Sequence, residues 1–179
     1  MPAFTATARS NQLPSKGTGN VTSETQILGQ DGKVLICPLE GSQVLQTPGN
    51  ARRFRLSIAG YGTSGTTSTV TFKVYFGTSS TIASNGTAMV SVTTASFAST
   101  NQNFFLDTYL IYDSVSTSFA GYTIGSAVNT NVAQTAITQT SVTTVSDVAE
   151  GQGFTLTAIF NSTNSSNNLV VTTFEIIPE

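Results

Sequence analysis

From Arg53 onward apolar and polar residues alternate with a period of two, as in β-strands that bury one face. Phe54, Leu56 and Ile58 alternate with Arg53, Arg55 and Ser57, and Val70, Phe72, Val74 and Phe76 alternate with Thr69, Thr71, Lys73 and Tyr75. Further strands are predicted over Thr87 to Thr93, Asn103 to Tyr112, Phe119 to Ile124, Asn131 to Val145, Phe154 to Phe160 and Leu169 to Ile177, with Gly, Asn, Ser or Asp between most of them. Within Gln134 to Val145 the apolar positions are sparse and threonines many, which suits a solvent-facing strand because β-branched residues lose χ1 freedom in a helix. No i, i+3, i+4, i+7 stripe runs for three turns, so almost no helix is expected.

The first part of the chain reads differently. Residues 1 to 20 are polar and aperiodic and read as an extended N-terminal arm. Two apolar runs, Val21 to Leu28 and Lys33 to Leu39, flank the turn-forming Gly29-Gln30-Asp31-Gly32 and predict a leading hairpin within residues 21–50. The break at Thr47-Pro48-Gly49-Asn50 opens the main body, residues 51–179, so that residues 21–179 form one domain. Eight to ten strands without βαβ spacing predict an all-β fold, an antiparallel β-sandwich of the jelly-roll kind carrying the arm.

Composition narrows the chemistry. A chain of 179 residues with 39% hydrophobic content and 11 phenylalanines can build a real core. It contains no histidine, no tryptophan and one cysteine, while serine and threonine fill about three positions in ten. A Ser-His-Asp or Cys-His arrangement cannot be assembled without histidine, and Cys/His zinc sites are excluded with it. Asp107 with Asp113, or Asp147 with Glu150, could in principle pair as glycosidase carboxylates, but strand and turn positions explain them more simply. The chain is therefore expected not to be an enzyme and to need no cofactor or metal. Gly60-Tyr61-Gly62-Thr63-Ser64-Gly65 lacks the lysine and following helix of a phosphate loop, and reads as a hairpin loop between Ile58 and Val70. No calcium-loop pattern is present. The sequons at Asn20, Asn85, Asn161 and Asn164 are no more than so Ser/Thr-rich a sequence produces by chance. Cys37 reads as a small hydrophobe beside Pro38. Neither a signal-peptide pattern nor 18 uninterrupted apolar residues occurs, so the expectation is a soluble protein made in the cytoplasm, without a membrane span.

Charge is scarce and uneven. Only 9% of residues are charged; all seven bases fall within the first 73 positions against three acids, while the remainder carries six acids and no base. Arg52, Arg53 and Arg55 form the one basic cluster, and the period of two puts Phe54 and Leu56 on the opposite face, where they cannot serve as stacking platforms beside the arginines. With a formal charge of -2, nucleic-acid binding is not expected. These three arginines, with Arg9 and Lys16 of the arm, are candidates for a subunit or capsid contact.

The stretch Gly60 to Gly86, with its Tyr-Gly-Thr-Ser-Gly-Thr-Thr loop, the strand Ser68 to Gly77 and the run Thr78 to Asn85, resembles segments of tailed-bacteriophage virion proteins, as does Asn103 to Tyr112. The likeness is greatest to capsid decoration, or cement, proteins. It covers about half of the chain and rests on texture more than on a diagnostic motif. It implies a non-enzymatic virion protein that binds the outer capsid surface, has the major capsid protein as partner, forms a homo-oligomer (a trimer in many such proteins) and bridges neighbouring capsomers. Alternatives are a tail, baseplate or fibre component, and a carbohydrate-binding or adhesin module using Tyr61, Tyr75, Tyr109, Tyr112 or Tyr122 in place of tryptophan.

Overall fold

A computed structural model of the chain describes residues 8–9, 14–15, 17–19, 21–31, 33, 36–38, 52–77, 88–113, 118–127, 130–136, 140–141 and 153–178. Twelve strands occur among them and no helix: β1 Ala8–Arg9, β2 Thr25–Gln26, β3 Ile36–Pro38, β4 Arg52–Thr63, β5 Val70–Gly77, β6 Val90–Thr93, β7 Gln102–Asp113, β8 Ser118–Ala127, β9 Thr130–Ala136, β10 Thr140–Ser141, β11 Gly153–Phe160 and β12 Asn168–Pro178. They form two antiparallel sheets. Sheet A runs β1-β12-β4-β7-β8-β10, with β9 also on β8; sheet B runs β2-β11-β5-β6, with β3 also on β11.

Three runs, β4 to β5, β6 to β7 and β11 to β12, each cross from one sheet to the other. In sheet A, β4 lies between β12 and β7, and in sheet B, β5 lies between β11 and β6. Side-by-side crossing of this kind is the wrapping of a jelly roll. The stretch from Gly60 to Val70 is accordingly not a hairpin loop: β4 continues through Thr63, and Ile58 and Val70 sit in different sheets. The leading hairpin is also replaced. β2 and β3 do not pair with each other but lie one after the other along the edge of β11, Gln26 opposite Thr157 and Ile36 opposite Thr155. The turn between them is real, closed by Gly29 N donating to Lys33 O at 2.8 Å, but it opens an excursion within one edge rather than joining two paired strands.

Between the sheets, Leu56, Ile58, Phe104, Leu106, Leu110, Phe174 and Ile176 of sheet A meet Val70, Phe72, Val74, Phe76, Phe154, Leu156 and Phe160 of sheet B in one buried cluster. Phe72 and Phe104 face each other across the gap with ring centroids 4.8 Å apart, and Phe97 abuts Phe104 edge-on at 6.4 Å. Gly60 makes room for this group: a Cβ there would lie 2.0 Å from the Val170 carbonyl and 2.9 Å from the Phe104 ring. β12 changes phase at a bulge between Val171 and Thr173, which lets Leu169 and Val171 point inward before it and Phe174 and Ile176 after it.

At one end the three crossings, 64–69, 94–101 and 161–167, are sewn together by small polar side chains. Ser64 Oγ donates to Asn167 Oδ1 at 2.8 Å, and Asn167 Nδ2 donates to Ser162 O at 2.7 Å. Ser68 Oγ and Thr69 N both donate to Asn161 Oδ1, at 2.6 and 3.0 Å. Ser64 N reaches Ala98 O at 2.7 Å, and Phe97 N reaches Ser68 O at 2.9 Å. Ser64, Ser68, Thr94 and Asn167 are all buried, so these bonds replace water.

The described residues of the first twenty follow the free edge of β12. Ala8 lies opposite Ile176, Ser15 N donates to Val171 O at 2.8 Å while Val171 N donates to Ser15 Oγ at 2.8 Å, and Thr18 N donates to Leu169 O at 3.0 Å. Gln30 Nε2 holds the carbonyls of Pro14 and Ser15 at 3.0 Å each. These residues are thus a sheet edge of their own chain.

Two outcomes follow. Asn167→Ala removes the acceptor of a buried hydroxyl and is expected to cost about 2 kcal/mol, read as a lower urea midpoint at constant m-value; an unchanged midpoint would show that water replaces the seam. Deleting residues 1–19 is expected to lower the thermal midpoint, because several backbone bonds on β12 lose their partners; an equal midpoint would show that this edge contributes nothing.

Candidate docking face on sheet A

The outer face of sheet A is unusual in chemistry. On β7 the core takes Phe104, Leu106 and Leu110, leaving Asn103, Phe105, Asp107, Tyr109 and Ile111 outside. On β8 small residues go inward and large ones outward. Thr123 is buried and shares a 3.0 Å hydrogen bond with Thr108, while Gly125 is packed so closely that a Cβ would meet the Phe105 carbonyl at 2.3 Å. Tyr122 and Ile124 therefore project outward. The exposed large hydrophobics among the described residues are Phe105 (48%), Tyr122 (40%), Ile111 (38%) and Ile124 (37%), and all four lie on this face.

Cross-strand register orders them into rows. Tyr109 lies opposite Arg55 on one side and Tyr122 on the other, and the two tyrosine rings stack at 5.1 Å with 21° between planes. The next row toward one end is Arg53, Ile111 and Ala120; toward the other it is Ser57, Asp107 and Ile124. Between the tyrosine row and the Arg53 row is a shallow recess of about 210 Å³, floored by the Leu110 and Gly121 backbone. Ala120 leaves its far end low.

The five basic candidates separate here. Arg53 is exposed on this face beside Ile111, and Arg55 is half-buried on it with Nη1 3.5 Å from Asp107 Oδ2. Such a partly exposed pair contributes at most about 1 kcal/mol. Arg9 joins the same sheet opposite Glu175, and Arg52 opens β4 opposite Tyr112; their side chains, and Lys16 altogether, lie outside the described residues. Asp147 and Glu150 also lie outside them. Phe105, Ile111 and Ile124 had not been singled out from the sequence. The available signal was the pair of short apolar runs Phe104-Phe105-Leu106 and Tyr109-Leu110-Ile111, each of which puts large side chains on both faces of one strand.

Sheet B presents a different outer face. Glu24, just before β2, accepts from Lys73 Nζ at 2.7 Å, Tyr75 Oη at 2.5 Å and Thr157 Oγ1 at 2.9 Å. Tyr75 is buried, not an exposed sugar platform. Burial pushes the Glu24 carboxyl up, but the hydrogen bonds from Lys73, Tyr75 and Thr157 and the Lys73 charge outweigh it, and the net shift is downward. Burial, then the bond to Glu24 and its charge, hold the Tyr75 phenol well above its ordinary value. The network fastens the segment before β2 across sheet B.

No family model and no curated protein matches the sequence. Similar solved structures include a legume lectin-like domain from Entamoeba histolytica, 6% identical with a TM-score of 0.40 over 92% of this chain and 83% of that one. Another is the metal-free lectin I-B4 from Griffonia simplicifolia, 8% identical with a TM-score of 0.38 over 98% of this chain and all of that one. The likeness is in overall chain course and reaches no particular residue.

Because the folded Glu24 carboxyl titrates below its ordinary value near 4.5, its contribution to stability is present above that pH and lost as pH falls through the lower folded value. Glu24→Gln is therefore expected to be less stable than the parent at pH 7, with the gap narrowing on acidification; a gap constant with pH would show that the charge is not what holds the network.

Proposed function

We propose that this chain is a non-enzymatic structural subunit that assembles through the outer face of sheet A, and that the assembly is a virion whose capsid surface it binds and stabilises. The observation that carries the reading is the concentration of exposed large side chains, Phe105, Ile111, Tyr122 and Ile124, on one flat face. Apolar surface gathered in this way marks a protein contact more often than it marks chemistry. The face carries Arg53 and Arg55 on the β4 side of these apolar residues and Asp107 among them, and the mixture of apolar, aromatic and arginine side chains suits an interface. The resemblance of Gly60 to Gly86 and Asn103 to Tyr112 to phage virion proteins supports the virion as the setting, with the major capsid protein as the partner. Affinity in such an assembly comes from many modest contacts repeated over a lattice, and requires no deep pocket.

A carbohydrate-binding module is the second reading, favoured by one feature: the stacked Tyr109 and Tyr122 beside a recess lined also by Arg53. Aromatic rings offer a flat apolar surface to a sugar, and the guanidinium a hydrogen-bonding edge.

Quantitative mass spectrometry of density-purified particles from the source is expected to find this chain in a fixed ratio to the most abundant shell protein, near one to one for a lattice-covering subunit. Tens of copies would move the assignment to tail or fibre. Absence from particles, with a glycan-array signal abolished by Tyr122→Ala, would replace the virion reading with the sugar-binding one.

A further inference from the structure

We infer that the outer face of sheet A is covered by a second copy of this chain, packed face to face about a two-fold axis that crosses the strands at the level of Thr108. The inference rests on the reading of this face as an assembly surface, assigns it to the contact between two copies of this chain and leaves the capsid contact to other surfaces. A two-fold axis lying in the interface and perpendicular to the strands reverses strand direction, so the row one step above the axis meets the row one step below it. The observed register then places Ile111 over Phe105 of the partner subunit, Tyr122 over Ile124 of the partner subunit, and Tyr109 over Asp107 of the partner subunit. All four exposed large hydrophobics meet one another, and the phenol of Tyr109 comes to a carboxylate that can accept from it.

Charge agrees with this pairing. On β4 the same operation sets Arg55 against Ser57 and Arg53 against Ala59, so no two like charges meet on the described strands β4 and β7. An axis parallel to the strands between β7 and β8 fails the same test. It would set Ile111 over Ala120, Phe105 over Ser126 and Ile124 over Asp107, losing the apolar pairs.

Size sets the expected strength. From Phe105 to Ile111 the face runs about 20 Å along the strands, and β12, β4, β7 and β8 span about 19 Å across. That area, on the order of 400 Å² per copy, falls below the roughly 800 Å² per partner of a stable complex. The pair should therefore be weak and reversible, with a dissociation constant in the micromolar range.

Analytical ultracentrifugation of the full chain over about 1 to 100 µM is expected to show a monomer–dimer equilibrium. Phe105→Glu should raise the dissociation constant at least about tenfold, because two copies of the charge would be buried; Ser91→Glu, exposed on sheet B, should leave it unchanged. Phe105 is on the surface, so both variants should keep the parent urea midpoint. In a Cys37→Ser background, a mixture of Phe105→Cys and Ile111→Cys proteins should form an intermolecular disulfide faster than either alone. A chain that remains monomeric throughout, a dimer or trimer indifferent to Phe105→Glu, or no preference for the mixed disulfide would overturn the pairing. A monomer that still coats particles would overturn the pairing alone and leave the virion reading standing.

Discussion

A chain that crosses from one sheet of a sandwich to the other must turn over the end of the core, where its backbone polar groups leave the ladder but have not yet reached water. Three such crossings meet at one end of this fold, and everything between the sheets depends on their being closed. Closure is made with side chains of the smallest polar kind. Ser64, Ser68, Asn161 and Asn167 satisfy backbone and side-chain groups of the neighbouring crossings, and bulkier polar residues would not fit where Ser68 is fully buried. Each bond contributes only about 1 kcal/mol net, yet leaving one unmade inside costs more than that. The wealth of serine and threonine is thus partly structural: some of these residues are internal fasteners, and others only keep strands solvated without charge.

The second governing feature is the thinness of the core beneath β8. Where Thr123 and Gly125 face inward, the neighbouring β7 backbone and Leu106 fill the space that a larger side chain would need. Period-two alternation persists on β8, but its polarity is reversed, and the large residues are sent to the surface. Exposed apolar area on sheet A and tight packing under it have the same cause.

Much of the fold is legible in the sequence because strand periodicity is a local property. Arg53 to Ile58 and Val70 to Phe76 alternate cleanly, and each has one face in the core as expected. What the pattern does not carry is which strand follows which across space. Gly60 to Val70 reads as a hairpin because two strands flank a glycine-rich turn, and only long-range pairing of β4 with β12 and β7 shows that the chain changes sheets there. Ala8, Ser15 and Thr18 read as parts of an arm because they pair with residues some 150 or more positions away. The docking face was half legible: Arg53 and Arg55 are where alternation puts them, but Tyr122 and Ile124 would be assigned inward by size, and only the crowding at Gly125 reverses that. Tyr75 fails as a surface residue for the opposite reason, since Glu24 reaches over it.

The position of β12 has a consequence for how the molecule comes into being. It follows every other described strand in the sequence, yet in sheet A it lies between β1 and β4 and joins the first described residues to the rest. On a ribosome, β4 can pair with β7 as soon as both have emerged, but its other edge stays bare, and β1, Ser15 and Thr18 have nothing to bind, until residues 168 to 178 are free. Sheet A therefore closes late, and a chain cut short before β12 would present an open β4 edge. Sheet A cannot close until the last of its described strands has been made.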